Sequence, residues 1–286
     1  MKKKKPLSIG KIIMYVVLSF WALTTIYPIF WIICNSFKAK NLILSDSFSL
    51  PLGDKFTLSN YTTAFERLNI FSAYRNSLII SGTVALVVVL LAGLASFALV
   101  RYRFRLKKFV YSLVIAGMMF PVFSTIIPVF KMLNDIHIAN TPNLWLSLLS
   151  VALPQIAGNM SFAIVVLTGY IRSLPIELEE AAYLEGCSAY QIFFKVVVPL
   201  TKPSFATVAI FSFLWSYNDL FTQMFLLRLP EQRAITRLLN ELTAMEGTNY
   251  GLMASAVALV VMPVIIVYII LQKYIIKGMT AGAVKG

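Results

Sequence analysis

Long apolar runs alternate with short polar ones along nearly the whole chain. Six runs, at about 12–33, 77–100, 109–130, 144–171, 204–227 and 251–271, are long enough to cross a hydrocarbon layer of roughly 30 Å as helices rising about 1.5 Å per residue. The polar stretches between them differ in kind. Residues 35–76 are mixed in charge, 101–108 hold five Lys or Arg and no acid, 172–203 carry four acids, and 228–250 end in Glu246-Gly247-Thr248-Asn249-Tyr250. The pattern predicts an all-α membrane protein: a basic start (1–11), a six-helix transmembrane domain (12–276) holding a long polar insert (172–203), and a basic tail (277–286).

Composition agrees. Of 286 residues 59% are hydrophobic and 13% charged, with a mean hydropathy of +0.80, outside the range of soluble domains. A net charge of +13 would suit nucleic acid if the basic residues shared a soluble face, but they flank apolar runs instead. With the amino terminus inside, sixteen of the 25 Lys and Arg are cytoplasmic: five before the first run, five at 101–108, three in the insert and three after the last run (Lys273, Lys277 and Lys285). The inverted orientation leaves nine, so the positive-inside rule places both termini and the insert in the cytoplasm. The first run is too long for a signal core and no small-x-small cleavage site follows it; Ile33 also denies Cys34 the small residue a lipoprotein needs. It reads as an uncleaved span. Cys34 and Cys187 fall on opposite sides of the membrane and cannot pair. A single histidine, His137, rules out a histidine metal cluster, and no Walker-type phosphate loop occurs.

The insert reads as helix, turn, helix. Ser173 is a candidate cap, Pro175 suits a first turn, and Glu177, Glu179 and Glu180 oppose the helix dipole. Gly186 ends or bends this helix, Ser188 with Gln191 forms a capping box for the next, and Pro199 stops it. Ala182, Gly186 and Ala189 at i, i+4 and i+7 leave a face almost without side chains, bordered by acids, against which a partner's backbone fits. An ordinary amphipathic surface loop is the plainer alternative.

The fifth run carries Ser212, Ser216, Asp219 and Gln223 on one helical stripe, with Trp215, Asn218 and Thr222 on the stripe beside it. An ionised carboxylate facing lipid near mid-depth costs about 3 kcal/mol, so Asp219 should face protein or water. Gln155 and Asn159, at i and i+4 of the fourth run, are placed to oppose it. A ring face beside amide and carboxylate groups suits a pyranose, which has an apolar face and many hydroxyls. Interhelical hydrogen bonding without a ligand is the alternative. Pro28, Pro121, Pro128, Pro154 and Pro263 inside runs are expected as local kinks, and the pairs Ala92/Ser96 and Ala254/Ala258 as close-packing points.

Glu180-Ala181-Ala182, three residues, Gly186, nine residues and Val196-Val197-Val198-Pro199 resemble the signature of the membrane permease subunits of ATP-driven (ABC), binding-protein-dependent importers of the MetI-like type. Val196 and Val198 stand where Ile and Leu are usual, and Cys187 where Ala is common. The ending Gly278-Met279-Thr280-Ala281-Gly282-Ala283-Val284-Lys285-Gly286 is similar to that of the maltose and multiple-sugar permeases. The resemblance implies a six-helix permease bundle in a bacterial cell membrane and import of a sugar or oligosaccharide. It implies docking of Glu180, Ala181, Ala182, Glu185, Gly186, Val196 and Pro199 on an ATPase, as a coupling element. It also implies a substrate path along Trp215, Tyr217, Asn218, Asp219, Gln155 and Asn159, and an outer loop with Gly247, Thr248, Asn249 and Tyr250 that reaches a solute-binding protein. In some two-permease assemblies only one subunit lines the substrate site. The implied partners are a second homologous permease, two ATPase subunits and an extracytoplasmic sugar-binding protein, besides lipid and sugar but no nucleic acid. ATP and Mg would sit on the ATPase, with no cofactor and no enzyme activity in this chain.

A carrier working alone, proton-coupled or channel-like with Asp219 as the proton site, is the rival reading; it has no need of an acidic docking helix. A membrane-embedded enzyme lacks any nucleophile–base pair in the sequence.

Overall fold

A computed structural model describes residues 9–245 and 249–283. In chain order the helices are α1 (Ile9–Ser36), α2 (Lys40–Ser45), α3 (Ser59–Arg67), α4 (Ile70–Arg101), α5 (Lys107–Gly117), α6 (Val122–Asp135), α7 (Leu144–Arg172), α8 (Glu177–Leu184), α9 (Ala189–Ile192), α10 (Val198–Leu200), α11 (Lys202–Asn218), α12 (Leu220–Leu226), α13 (Ile235–Met245) and α14 (Tyr250–Ala283). The all-α class holds throughout the described residues.

The expected six unbroken spans do not appear as such. Among the described residues four helices are long and apolar enough to cross a membrane: Ile9–Ser36, Ile70–Arg101, Leu144–Arg172 and Tyr250–Ile270. A fifth is reached by counting the bent pair Ala189–Leu200 and Lys202–Asn218 as one. The run at 109–130 is divided between α5 and α6, because Pro121 cannot continue a helix and instead caps α6 from extended backbone (φ −72°, ψ 133°). The run at 204–227 breaks at Asp219. Pro28, Pro128, Pro154 and Pro263 do lie inside helices. At the other end α14 continues to Ala283, so residues 277–283 extend the last helix.

Two compact units make up the chain, one from the segments before Leu68 and from Leu239 to Met262, the other from Asn69 to Leu238 and from Pro263 onward. In the first, the polar stretch after α1 folds on itself and on the start of α14. Asn60 donates to the carbonyls of Ser36 (2.9 Å) and Lys38 (2.8 Å). The buried Lys38 ammonium donates to the carbonyls of Asp46 and Ser47. A Cβ on Gly251 would lie 2.8 Å from both Asn60 and the Lys38 carbonyl, so this glycine permits the contact. Phe37 stacks on Phe56 with centroids 5.4 Å apart. Outside the membrane span, the Lys55 ammonium, 2.8 Å from Asp46, and hydrogen bonds from Ser49 hold the Asp46 carboxyl below its ordinary range.

In the second unit α4, α7 and α11 form the core. Ile80, Val84, Val88 and Ala92, one helical stripe of α4, are buried against Leu148, Val151, Leu167 and Ile171 of α7 and Phe205 and Val208 of α11. Small residues set the spacing, as expected between membrane helices. Ser96 donates to the Ile164 carbonyl at 3.2 Å. At Gly93 a Cβ would lie 2.7 Å from the Phe205 ring and 3.1 Å from that of Phe193, so only glycine admits both rings.

Candidate functional site

Two places in the second unit collect the residues singled out by sequence. The first is a cavity of about 500 Å³, walled by Gly117 at the end of α5 and Phe120 beyond it, by Thr125, Ile126 and Val129 of α6, by Pro154, Gln155, Ala157, Gly158 and Asn159 of α7, and by Trp215, Ser216, Asp219 and Thr222. The break that divides α5 from α6 opens one wall, and Gly117 lets α5 approach α7 closely, where a Cβ would meet the Ser161 hydroxyl at 2.6 Å.

Asp219 is not a mid-helix stripe residue. It sits between α11 and α12 with φ −74° and ψ 86°, and its Oδ1 accepts from the Thr222 N–H at 3.0 Å as the N-cap of α12. An aspartate is among the best residues for this place because its short carboxylate reaches an unpaired N–H of the first turn. Its Oδ2 accepts from Gln155 Nε2 at 2.8 Å, while Gln155 Oε1 accepts from the Ser216 hydroxyl. Gln155 therefore opposes Asp219 as expected. Asn159 lies on the same wall, but its amide donates to the Gln155 carbonyl at 2.7 Å, and its buried Oδ1 has no partner among the described residues. Trp215 is half exposed on the cavity and held edge-on to Phe162, centroids 4.8 Å apart.

Three residues expected on the stripes or the substrate path are elsewhere. Tyr217 is buried away from the cavity, stacked with Phe213 at 6.0 Å. Asn218 is exposed and donates back to the Leu214 carbonyl. Gln223 ties α12 to its surroundings through Thr236 and the Ser216 carbonyl. Tyr217 lies on the far side of α11 from Ser216 and Trp215, Asn218 is the last residue of that helix, and Gln223 lies beyond the break at Asp219, which ends the register of the first stripe.

The second place is the insert. Ser173 does not cap α8; its hydroxyl turns back to the Tyr170 carbonyl at the end of α7, and Ile176 precedes α8 without a side-chain cap. Pro175 likewise falls before the helix. Glu177, Glu179 and Glu180 do occupy the first turn. Gly186 ends α8 in the left-handed region (φ 83°), with the Cys187 N–H on the Ala182 carbonyl and the Gly186 N–H on that of Tyr183, a Schellman closure. The capping box of Ser188 and Gln191 is present at α9. Pro199 does not end the helix. A π-helical turn, Phe193–Val197, precedes it and the chain bends by 84° between α10 and α11; the proline lacks the N–H for the Lys195 carbonyl, so the preceding turn widens.

The left-handed turn at Gly186 also means that Ala182, Gly186 and Ala189 do not share one helix face. Ala182 packs on the core and Val196 is partly covered, while Glu180, Ala181, Glu185, Gly186 and Pro199 are exposed. The outer surface is not smooth but carries Tyr183 (72% exposed), Leu184 (87%) and Tyr190 (70%) beside the acids. Glu179 differs from its neighbours: it is buried against Arg101, a pairing across 78 positions that no local pattern announces. Of the outer-loop residues, Gly247 and Thr248 lie outside the described residues, Asn249 caps the start of α14 by accepting from the Leu252 N–H, and Tyr250 begins that helix half exposed.

Over residues 89–281 the chain matches the family described as binding-protein-dependent transport system inner membrane component. It is 32% identical over 273 residues to the diacetylchitobiose uptake system permease protein NgcG of Streptomyces coelicolor, covering 94% of this chain and 87% of that one. It is 31% identical over 260 residues to the melibiose/raffinose/stachyose import permease protein MelC of Bacillus subtilis, covering 91% of each. A chain in the crystal structure of a bacterial ABC transporter involved in import of the acidic polysaccharide alginate shares the fold, with a TM-score of 0.78 at 24% identity over 94% of this chain and 99% of that one. Helices of this length mark a membrane-embedded protein, and the matches put it in the ABC transporter permease class. Within that class the chain belongs to the binding-protein-dependent transport system inner membrane component family.

Proposed function

We propose that this chain is the permease subunit of an ATP-driven importer that moves a sugar or oligosaccharide into a bacterial cell, driven through the insert by a separate ATPase. The observation that carries the proposal is the shape of the insert: its inner side is tied to the bundle by Glu179 and Ala182, while Tyr183, Leu184 and Tyr190 stand in the open beside Glu180 and Glu185. Exposed aromatic and aliphatic side chains on a rigid double helix are the anchors a protein partner buries.

The cavity supplies the sugar site. Trp215 offers a ring face, Asp219 and the unpartnered Asn159 Oδ1 offer acceptors to hydroxyls, and the volume lies within the usual range for ligand pockets. Two ATPase copies, a second homologous permease and an extracytoplasmic sugar-binding protein complete the assembly, with both termini and the insert cytoplasmic and the 228–250 segment on the binding-protein side. ATP and Mg belong to the ATPase. ATP closes the ATPase pair, the insert moves with it, and the bundle opens to take sugar from the binding protein. Sugar relatives motivate the probes: labelled melibiose, raffinose and diacetylchitobiose, offered to cells carrying the full assembly. Uptake of at least one that stops on ATP depletion and survives a protonophore is expected. Uptake with the opposite dependence would make the chain a proton-coupled carrier.

A further inference from the structure

We infer that Arg101 is the positioning residue that makes the insert move with the bundle, an inference that rests on the coupling role proposed above. Arg101 is the last residue of α4. Its Nε donates to Glu179 Oε1 at 2.8 Å, and its Nη2 lies 2.6 Å from the same oxygen. Nη2 also donates to the carbonyls of Ile171 (3.0 Å) and Leu174 (3.2 Å). One guanidinium thus joins the end of α4, the Ile171 carbonyl near the end of α7, the Leu174 carbonyl in the turn beyond it and the first turn of α8. Both side chains are nearly enclosed, 13% and 8% exposed.

Stability alone is a poor reason for this arrangement, because a buried ion pair adds little over an apolar pair of the same volume. What it adds is direction. The other contacts of the insert with the core, through Leu174, Ala182, Cys187, Ile192, Phe193, Val197 and Val198, are apolar, and apolar contact is non-directional, so it leaves α8 free to roll. Four acceptor-directed contacts from a planar, rigid fork do not. A pull on α8 passes through Arg101 to α4, which carries the core stripe, and to α7, which carries Gln155 and Asn159 on the cavity wall. The docked surface and the cavity are thereby two ends of one rigid path.

The test uses the full transporter in liposomes with Cys34→Ser and Cys187→Ala, and Ala157→Cys as a reporter on the cavity wall. The probe is a membrane-impermeant maleimide, applied without nucleotide and again with ATP trapped by vanadate. In the parent the labelling rate changes on trapping. Arg101→Ala and Glu179→Gln should each shrink that change about tenfold, within the roughly 5–150-fold range of couplings between protein sites. The ATPase should remain bound and hydrolyse ATP, and Arg101→Lys should restore part of the response. An unaltered response in both variants overturns the inference, as does a response that falls only in proportion to the amount of assembled complex, since that marks the pair as a support of the fold. An ATPase that never joins the parent assembly overturns the coupling reading and this inference with it.

Discussion

The insert from 172 to 203 and the helix pair α11–α12 follow one another in the chain, yet residues are placed in them by different rules. In the insert the bonds that shape the two helices are local: Gly186 closes α8 within five residues, and Ser188 and Gln191 cap α9 within three, while the Arg101–Glu179 pair that ties α8 to α4 spans 78 positions. In α11–α12 the decisive bonds are distant. Gln155 reaches Asp219 across 64 positions and Ser216 across 61, and the local bond that matters, Asp219 to the Thr222 N–H, breaks the helix instead of extending it. Local chemistry fixes the turn and caps of the insert, whereas the cavity wall is assembled by the bundle.

Substitutions sharpen this contrast. The largest expected effect is at Gly186. Its backbone is left-handed and its Cβ direction is open, so Gly186→Leu strains the turn by about 1–2 kcal/mol and displaces the docking surface. Uptake should fall to background with the protein still inserted, and Gly186→Asn should retain much of it because asparagine tolerates this conformation. Normal uptake from the leucine variant would remove the turn from the coupling account. Next is Gly93→Ala, which drives a methyl into Phe205 and Phe193 and should lower stability by about 1–3 kcal/mol, read as the midpoint of thermal unfolding in detergent. An unchanged midpoint would mean that the rings move aside freely.

Asp219→Ala removes the α12 cap, worth about 1 kcal/mol, together with the acceptor for Gln155, and should weaken uptake more than Asp219→Asn, which keeps a capping oxygen. Equal uptake by the two would separate the cap from function. Trp215→Ala should weaken sugar binding severalfold, in line with about 0.5–1.5 kcal/mol for an aromatic contact, measured as the concentration dependence of uptake; an unaltered dependence would return Trp215 to packing against Phe162. The smallest effect is in the first unit. Because Lys55 and Ser49 lower the Asp46 carboxyl, the pair contributes stability above the ordinary carboxylate range and loses it as pH falls through the lowered value. Lys55→Met should flatten that acid-side loss in a melting-versus-pH series, and an identical series would show the contact to be idle.

Much of the fold was legible because long apolar runs and cap residues carry their meaning locally. α1, α4, α7 and α14 overlie the runs at 12–33, 77–100, 144–171 and 251–271. The broken runs were less legible. Pro121 was visible as a helix breaker, but whether a membrane proline kinks or divides a helix depends on the neighbours that take up its freed carbonyls. At Asp219 the same residue type serves a polar stripe and an N-cap, and periodicity favoured the stripe. Gln223 was misplaced for that reason; Tyr217 and Asn218 precede the break, one on the far side of α11 and the other at its end, while Gln155 and Trp215 were found because their helices run unbroken through those positions. Arg101 read as one basic residue among five on a loop, and Glu179 as one acid among three. Only folding brings them together.

The most direct measurement is a crosslink from the tip of α8. With Leu184→Cys in an otherwise cysteine-free chain, inside-out vesicles holding the assembled transporter should give a thiol crosslink to the ATPase, and an impermeant maleimide should label position 184 from the cytoplasmic side alone once the ATPase is stripped away. Labelling of that position from the cell exterior, with no crosslink to the ATPase, would contradict the account.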